Sequence, residues 1–200
     1  MDDAQSDPLV VKAAEFAKTK HQHQKRLDGV TPYFAHCEGV ARIVAGKTKD
    51  PTLIAAAYLH DTIEDTGVTY DKLERKFGRD VADIVSALSH DNRLPEKAQL
   101  EEYRKRLFSA PLGTRVIKVA DILQNIQSLG DAVARAKPDF EIRAITRWTE
   151  TLHLLAKSYS EADQVHPLGM AFMELHKDSA DALVQRALEM GFKQEDLEDE

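Results

Sequence analysis

Cysteine, tryptophan and basic charge are all scarce in this chain. Its 200 residues hold one cysteine, Cys37, and one tryptophan, Trp148, and aromatic residues make up only 6%. A lone cysteine cannot close an internal disulfide, so the fold must come from burying apolar side chains. A chain of this length buries about 70% of its unfolded surface. No apolar run is long enough to cross a bilayer, and the first residues lack the cationic-then-apolar pattern of a secretory signal. A reducing, cytoplasmic setting without a membrane partner is the expectation that follows.

Basic residues are outnumbered, with 27 Lys and Arg against 34 Asp and Glu and a net charge of -7. That balance argues against a general nucleic-acid binder, whose affinity comes from clustered cations on the phosphate backbone. Acidic residues gather in Gln194-Glu195-Asp196-Leu197-Glu198-Asp199-Glu200. Residues 193–200 are therefore expected to form a solvated, flexible tail on a single domain spanning 1–192. Oligomeric state is not legible.

What is abundant is helical periodicity. Asp7-Pro8 reads as a cap followed by proline at the first helical position, with Leu9, Val10, Ala13, Phe16 and Ala17 on one face. Thr31-Pro32 opens a second helix carrying Cys37, Val40, Ala41 and Val44. Asp50-Pro51 repeats the cap-and-proline start, and its helix is apolar nearly all round, which places it centrally. Thr69 begins a shorter helix stopped at Gly78, and Val81, Ile84, Val85 and Leu88 mark another. A loop is expected from His90 to Pro95. Leu100, Tyr103 and Leu107 share a face before a break at Pro111 and Gly113; Val116, Val119, Ala120, Leu123 and Ile126 line the next helix, and further helices follow Pro138 and Pro167. With no strand alternation, the chain reads as a compact all-α bundle.

The central helix ends in His60-Asp61. With His36 and Asp121 these residues form the order His, His-Asp, Asp, a nitrogen and oxygen donor set that suits Mn²⁺, Fe²⁺, Co²⁺ or Zn²⁺. An ion with open positions lowers the pKa of water. Glu64 and Asp65 follow one turn later, placed to orient that water or take its proton. Lys118, Asp121 and Asn125 are spaced i, i+3 and i+7 on one helix face, so a candidate ligand has a cation one turn before it and an amide one turn after. Such a face suits a substrate with phosphate near the ion. Lys20, Lys25 and Arg26 precede the Asp28-Gly29 turn and are placed to cover an anion. His21 and His23 point to different sides of a helix and make no second site. His90, His153, His166 and His176 lack a carboxylate at ligand spacing and are read as structural.

At these residues the chain resembles the HD-domain metal-dependent phosphohydrolases, and most nearly the hydrolase domain of the RelA/SpoT family and the small alarmone hydrolases. The matching segments are Gly29-Val30-Thr31-Pro32-Tyr33 up to His36, Gly39 to Ile43, His60-Asp61-Thr62-Ile63-Glu64-Asp65-Thr66, Phe77-Gly78, and Lys118-Val119-Ala120-Asp121 with Asn125. The chain departs from the family at Ile122, Gln124 and Gln127, where a basic residue, an aromatic and an arginine are common.

The resemblance implies a helical bundle around one Mn²⁺ and hydrolysis of the 3′-pyrophosphate of guanosine tetra- or pentaphosphate. It assigns metal ligation to His36, His60, Asp61 and Asp121, water activation to Glu64 and Asp65, and nucleotide contact to Lys25, Arg26 and Asn125, beside Lys118. An HD phosphohydrolase acting on another nucleotide, or a nucleotide-binding regulatory module without turnover, are the alternative readings.

Overall fold

Aspartate followed by proline starts two helices in the way the sequence predicts. Asp7 caps α1 (Pro8–Lys20) by accepting from Leu9 N at 2.8 Å, and Asp50 caps α3 (Pro51–Leu59) by accepting from Thr52 N at 2.8 Å. Proline costs nothing there because the first N–H groups of a helix have no intrahelical partner. A computed structural model describes residues 6–91, 93–129 and 138–193 of the chain. The expected acidic tail lies, from residue 194, outside the described residues, as does Asn92 of the expected loop.

Between α1 and α3 lies α2 (Phe34–Ala45). A short α4 (Thr62–Thr66) follows His60-Asp61 and ends at Gly67, whose φ of +66° is the left-handed conformation that glycine adopts without strain. Thr69 caps α5 (Tyr70–Phe77), and α6 (Arg79–Leu88) follows Gly78 directly. The later helices are α7 (Glu96–Phe108), α8 (Leu112–Gln127), α9 (Pro138–Lys157), a four-residue α10 (Glu161–Gln164) and α11 (Gly169–Glu189). Among the described residues the only extended pairing is an isolated antiparallel bridge between Lys25 and Pro32. The architecture is all-α, and no helix among the described residues is long and apolar enough to cross a membrane.

Two helices form the centre. In α3 every residue from Leu53 to Leu59 is buried, as its apolar composition predicts. The second is α8, buried on almost every side and packed chiefly against α11, α2 and α3. The sequence suggests an apolar face on α8 opposite Lys118, Asp121 and Asn125; instead Ile117, Ala120 and Ile122 are as buried as Val116 and Val119. The expected break at Gly113 is also corrected, because α8 already runs from Leu112. Gly113 serves packing: a Cβ there would stand 2.7 Å from Leu53 Cδ2, so its absence lets α8 close onto α3.

Arg115 anchors the start of α8 to the far side of the bundle. It donates to Ala110 O at 3.0 Å, to Ser158 O at 2.9 Å and to Asp163 Oδ1 at 2.8 Å, so this buried guanidinium is paired and hydrogen-bonded. Asp163 also closes a capping box with Ser160 at the start of α10.

Candidate active site

Helices α2, α3 and α8 and the α3–α4 junction carry the candidate ligands. His36 lies in the first turn of α2, His60 and Asp61 stand at the junction of α3 and α4, and Asp121 is in the middle of α8. His36, His60 and Asp121 are buried, and each offers a ligand atom within 4.8 Å of the others. His36 Nε2 is 3.1 Å from Asp121 Oδ1, and His60 Nε2 is 2.9 Å from Asp61 Oδ2 and 3.7 Å from Asp121 Oδ1. Asp61 Oδ2 also reaches to 3.6 Å from His36 Nε2.

The other ring nitrogens fix how the imidazoles present themselves. His60 Nδ1 bonds to Ala57 O at 2.9 Å, and His36 Nδ1 bonds to Gln124 Oε1. Both partners are acceptors, so the Nδ1 atoms carry hydrogen and the Nε2 lone pairs point to the cluster. The two Nε2 atoms face each other at 3.2 Å, beside two carboxylates. Convergent lone pairs of this kind repel unless a cation lies between them, and a divalent ion that accepts N and O donors fits. In the metal-free chain, burial pushes both imidazoles down, but Asp121 and Asp61 outweigh it and hold them above their usual value.

A shell of polar side chains holds the donors. Tyr33 donates its hydroxyl to Asp61 Oδ2 at 2.6 Å, and His21 stacks on Tyr33 with centroids 5.0 Å apart. Lys118 Nζ is 2.9 Å from Asp121 Oδ2, and Asn125 Nδ2 donates to Asp121 Oδ1 at 2.7 Å. Burial raises Asp121, but Lys118 and the imidazoles hold it well below the usual carboxylate range. Arg26 donates to Asn125 Oδ1 at 2.9 Å and to Ser128 Oγ at 2.7 Å. Arg26, Asn125, Asp121 and Lys118 therefore form one continuous hydrogen-bonded chain. Lys25 is not part of it; its side chain is exposed, and its backbone bridges to Pro32.

Glu64 and Asp65, adjacent in sequence, face different surroundings. Glu64 lines a cavity of about 900 Å³, counting its open mouth, together with His60, Asp61, Lys118, Asp121 and Asn125. Its Oε2 accepts the backbone N–H of His90 at 3.0 Å. Asp65 is exposed beside Tyr33, yet desolvation together with Asp61 and Glu64 pushes it up to about 6.

Sequence reasoning missed the opposite wall. His90, read there as structural, stacks on Tyr103 with centroids 4.0 Å apart and lines the cavity with Arg104, Arg147 and Trp148. Burial lowers the His90 imidazole, and its Nδ1 is buried without a hydrogen-bond partner. No local spacing marks these residues, because the segment after α6 and the helices α7 and α9 bring them to the site through tertiary packing alone.

A helical bundle that converges His36, His60-Asp61 and Asp121 on one point has the arrangement of an HD domain. Residues 13–156 match the model of the HD domain family, and the chain belongs to that family. Its relatives include guanosine-3′,5′-bis(diphosphate) 3′-pyrophosphohydrolase MESH1 of Xenopus tropicalis, 36% identical over 146 residues that cover 70% of this chain and 80% of the relative. The Homo sapiens MESH1 is 37% identical over 146 residues, covering 70% and 79%. A solved structure of a metazoan ortholog of SpoT, described as hydrolysing ppGpp, superposes with a TM-score of 0.72 at 21% identity, covering 91% of this chain and 97% of that one. At that identity the superposition speaks for the fold.

Proposed function

We propose that this chain is a Mn²⁺-dependent hydrolase that removes the 3′-pyrophosphate from guanosine tetraphosphate (ppGpp) or pentaphosphate, leaving GDP or GTP. The carrying observation is the convergence of buried His36, His60 and Asp121 with half-buried Asp61, beside a cavity lined by His60, Asp61 and Asp121 together with Glu64, Lys118 and Asn125. Similarity to MESH1 over most of both chains supports the nucleotide assignment.

In this reading the four donors hold the ion. When bound, it supplies Lewis-acid activation of water and offsets phosphate charge. Glu64 takes the proton of the attacking water on its free Oε1, since Oε2 is held by His90 N–H. Lys118, kept charged by Asp121, faces the phosphoryl group as negative charge develops there. Asn125 and Arg26 orient the nucleotide. Asp65 acts at one remove, through Tyr33 on Asp61, and Lys25 adds positive charge on the turn that carries Arg26. A cytoplasmic location belongs to the same proposal.

The test is turnover by the manganese-loaded protein of ppGpp, other nucleoside polyphosphates and deoxynucleotides, with phosphate and pyrophosphate measured separately. GDP and pyrophosphate from ppGpp are expected. Phosphate released singly would reassign the substrate to another nucleotide, and tight ppGpp binding without turnover under any divalent ion would make the protein a regulatory module.

A further inference from the structure

The cavity has two unlike walls. The cluster side, built by the α3–α4 junction, α4 and α8, holds His60, Asp61 and Asp121 with Lys118. The side built by α7 and α9 brings no donor and contributes Arg104 and Arg147 instead.

The cations around this cavity differ in how far their charge is committed. Lys118 is paired with Asp121, Arg26 is tied to Asn125 and Ser128, and Arg104 is ion-paired with Glu150. Arg147 is exposed and forms no ion pair among the described residues. Its own helix cannot neutralise it: one turn before it stands Arg143, and Glu150, one turn after, is engaged by Arg104. Arg147 and His90, beside Glu64, line the same cavity and lie within electrostatic reach of each other. Its neighbour Trp148 lines the same cavity.

An uncommitted guanidinium at the mouth of an anion-handling cavity is matched to a phosphate, whose oxygens it can take in pairs. We infer that Arg147 determines specificity by binding the second anionic group of the substrate, the 5′-diphosphate of a nucleotide whose 3′-diphosphate lies at the donor cluster. The inference rests on the proposed function for the identity of the nucleotide. It rests on the charge layout for the need of a cation on this wall.

Arg147→Gln tests it, because an exposed side chain of this kind can be replaced without disturbing the core. The readout is the ratio of kcat/KM for ppGpp to that for guanosine 3′-diphosphate, which lacks the 5′ groups. Loss of a charged contact at a partly exposed site should lower this ratio about tenfold, and Arg147→Lys should restore part of it. Equal losses on both substrates, or none on either, would overturn the inference.

If neither compound is turned over, calorimetric binding of GDP and of guanosine decides separately. Arg147→Gln should narrow the affinity gap between them about tenfold. A narrowed gap without turnover would sustain the Arg147 site while the hydrolase reading fails, and an unchanged gap would overturn the Arg147 site itself.

Discussion

His36 and His60 direct their Nε2 atoms at each other across 3.2 Å, each locked in that orientation by an acceptor on Nδ1. Removing one imidazole should dissolve the donor set without dissolving the bundle, since His60 sits at a helix end and not within the apolar layer. His60→Ala, or Asp61→Ala, should abolish both bound metal and hydrolysis while helical circular dichroism is retained. Full activity of either variant after chelation and reloading would remove this cluster from the reaction.

Gln124 holds His36 from α8, and Gly39, on α2, makes room for it. A Cβ at Gly39 would stand 2.8 Å from Gln124 Cγ. Gly39→Ala should push the amide off His36 and weaken metal binding by about 10–100-fold, the usual cost of losing support behind a ligand. Competition with a calibrated chelator would measure it, and wild-type affinity would show that Gln124 merely fills space.

Glu64→Gln keeps size and shape but removes the base. If Glu64 takes the proton of water, turnover should fall by about two to four orders of magnitude with metal content unchanged. Loss of metal together with activity would make Glu64 a support of the cluster instead.

Asp65 gives a pH signature in the metal-free protein. Its native pKa of about 6 lies above the usual 3.8, so the native state binds this proton more tightly than the unfolded state does. Its contribution to stability is therefore fully present below the unfolded value and is lost as pH rises through the native one. In chelator-treated protein, Asp65→Asn should become more stable than wild type across that window. The gain should level off above it at about 1 kcal/mol, the partial exposure of the side chain discounting the full shift. Thermal melts at stepped pH read this directly, and an offset independent of pH would contradict it.

Gly169 begins α11 against the carbonyl of Asp163, where a Cβ would collide with that backbone oxygen and approach Tyr159 Oη to 3.0 Å. Backbone cannot yield as a side chain can. Gly169→Ala should cost about 2 kcal/mol or more in denaturant unfolding and loosen the Arg115–Asp163 pairing beside it. A neutral or stabilising change would show that the start of α11 shifts freely.

Much of this molecule is readable one segment at a time. Asp7-Pro8 and Asp50-Pro51 start helices for reasons internal to four or five residues, and the apolar run ending in His60-Asp61 announces a buried helix with polar groups at its end. Lys118, Asp121 and Asn125 share a face by helical spacing alone, and the structure joins them through Asp121. Gly113 is not readable locally, because a glycine that ends a helix and a glycine that admits a neighbour share one sequence signal, and only the packing of Leu53 against it separates them. Spacing brings Glu64 and Asp65 within one turn of the cluster, but only packing shows that they diverge, one to the cavity and the other to Tyr33. Arg104, Arg147 and Trp148 carry no sequence signal because packing of α7 and α9 creates their wall, and His90 joins it from the segment after α6.

Trp148 is the chain's only indole, and it stands in the wall of the cavity that holds the candidate chemistry. With no second tryptophan elsewhere to dilute the signal, the protein carries its own optical probe at the point of interest. Its emission should change as that cavity fills and empties, giving an unlabelled readout in the native chain.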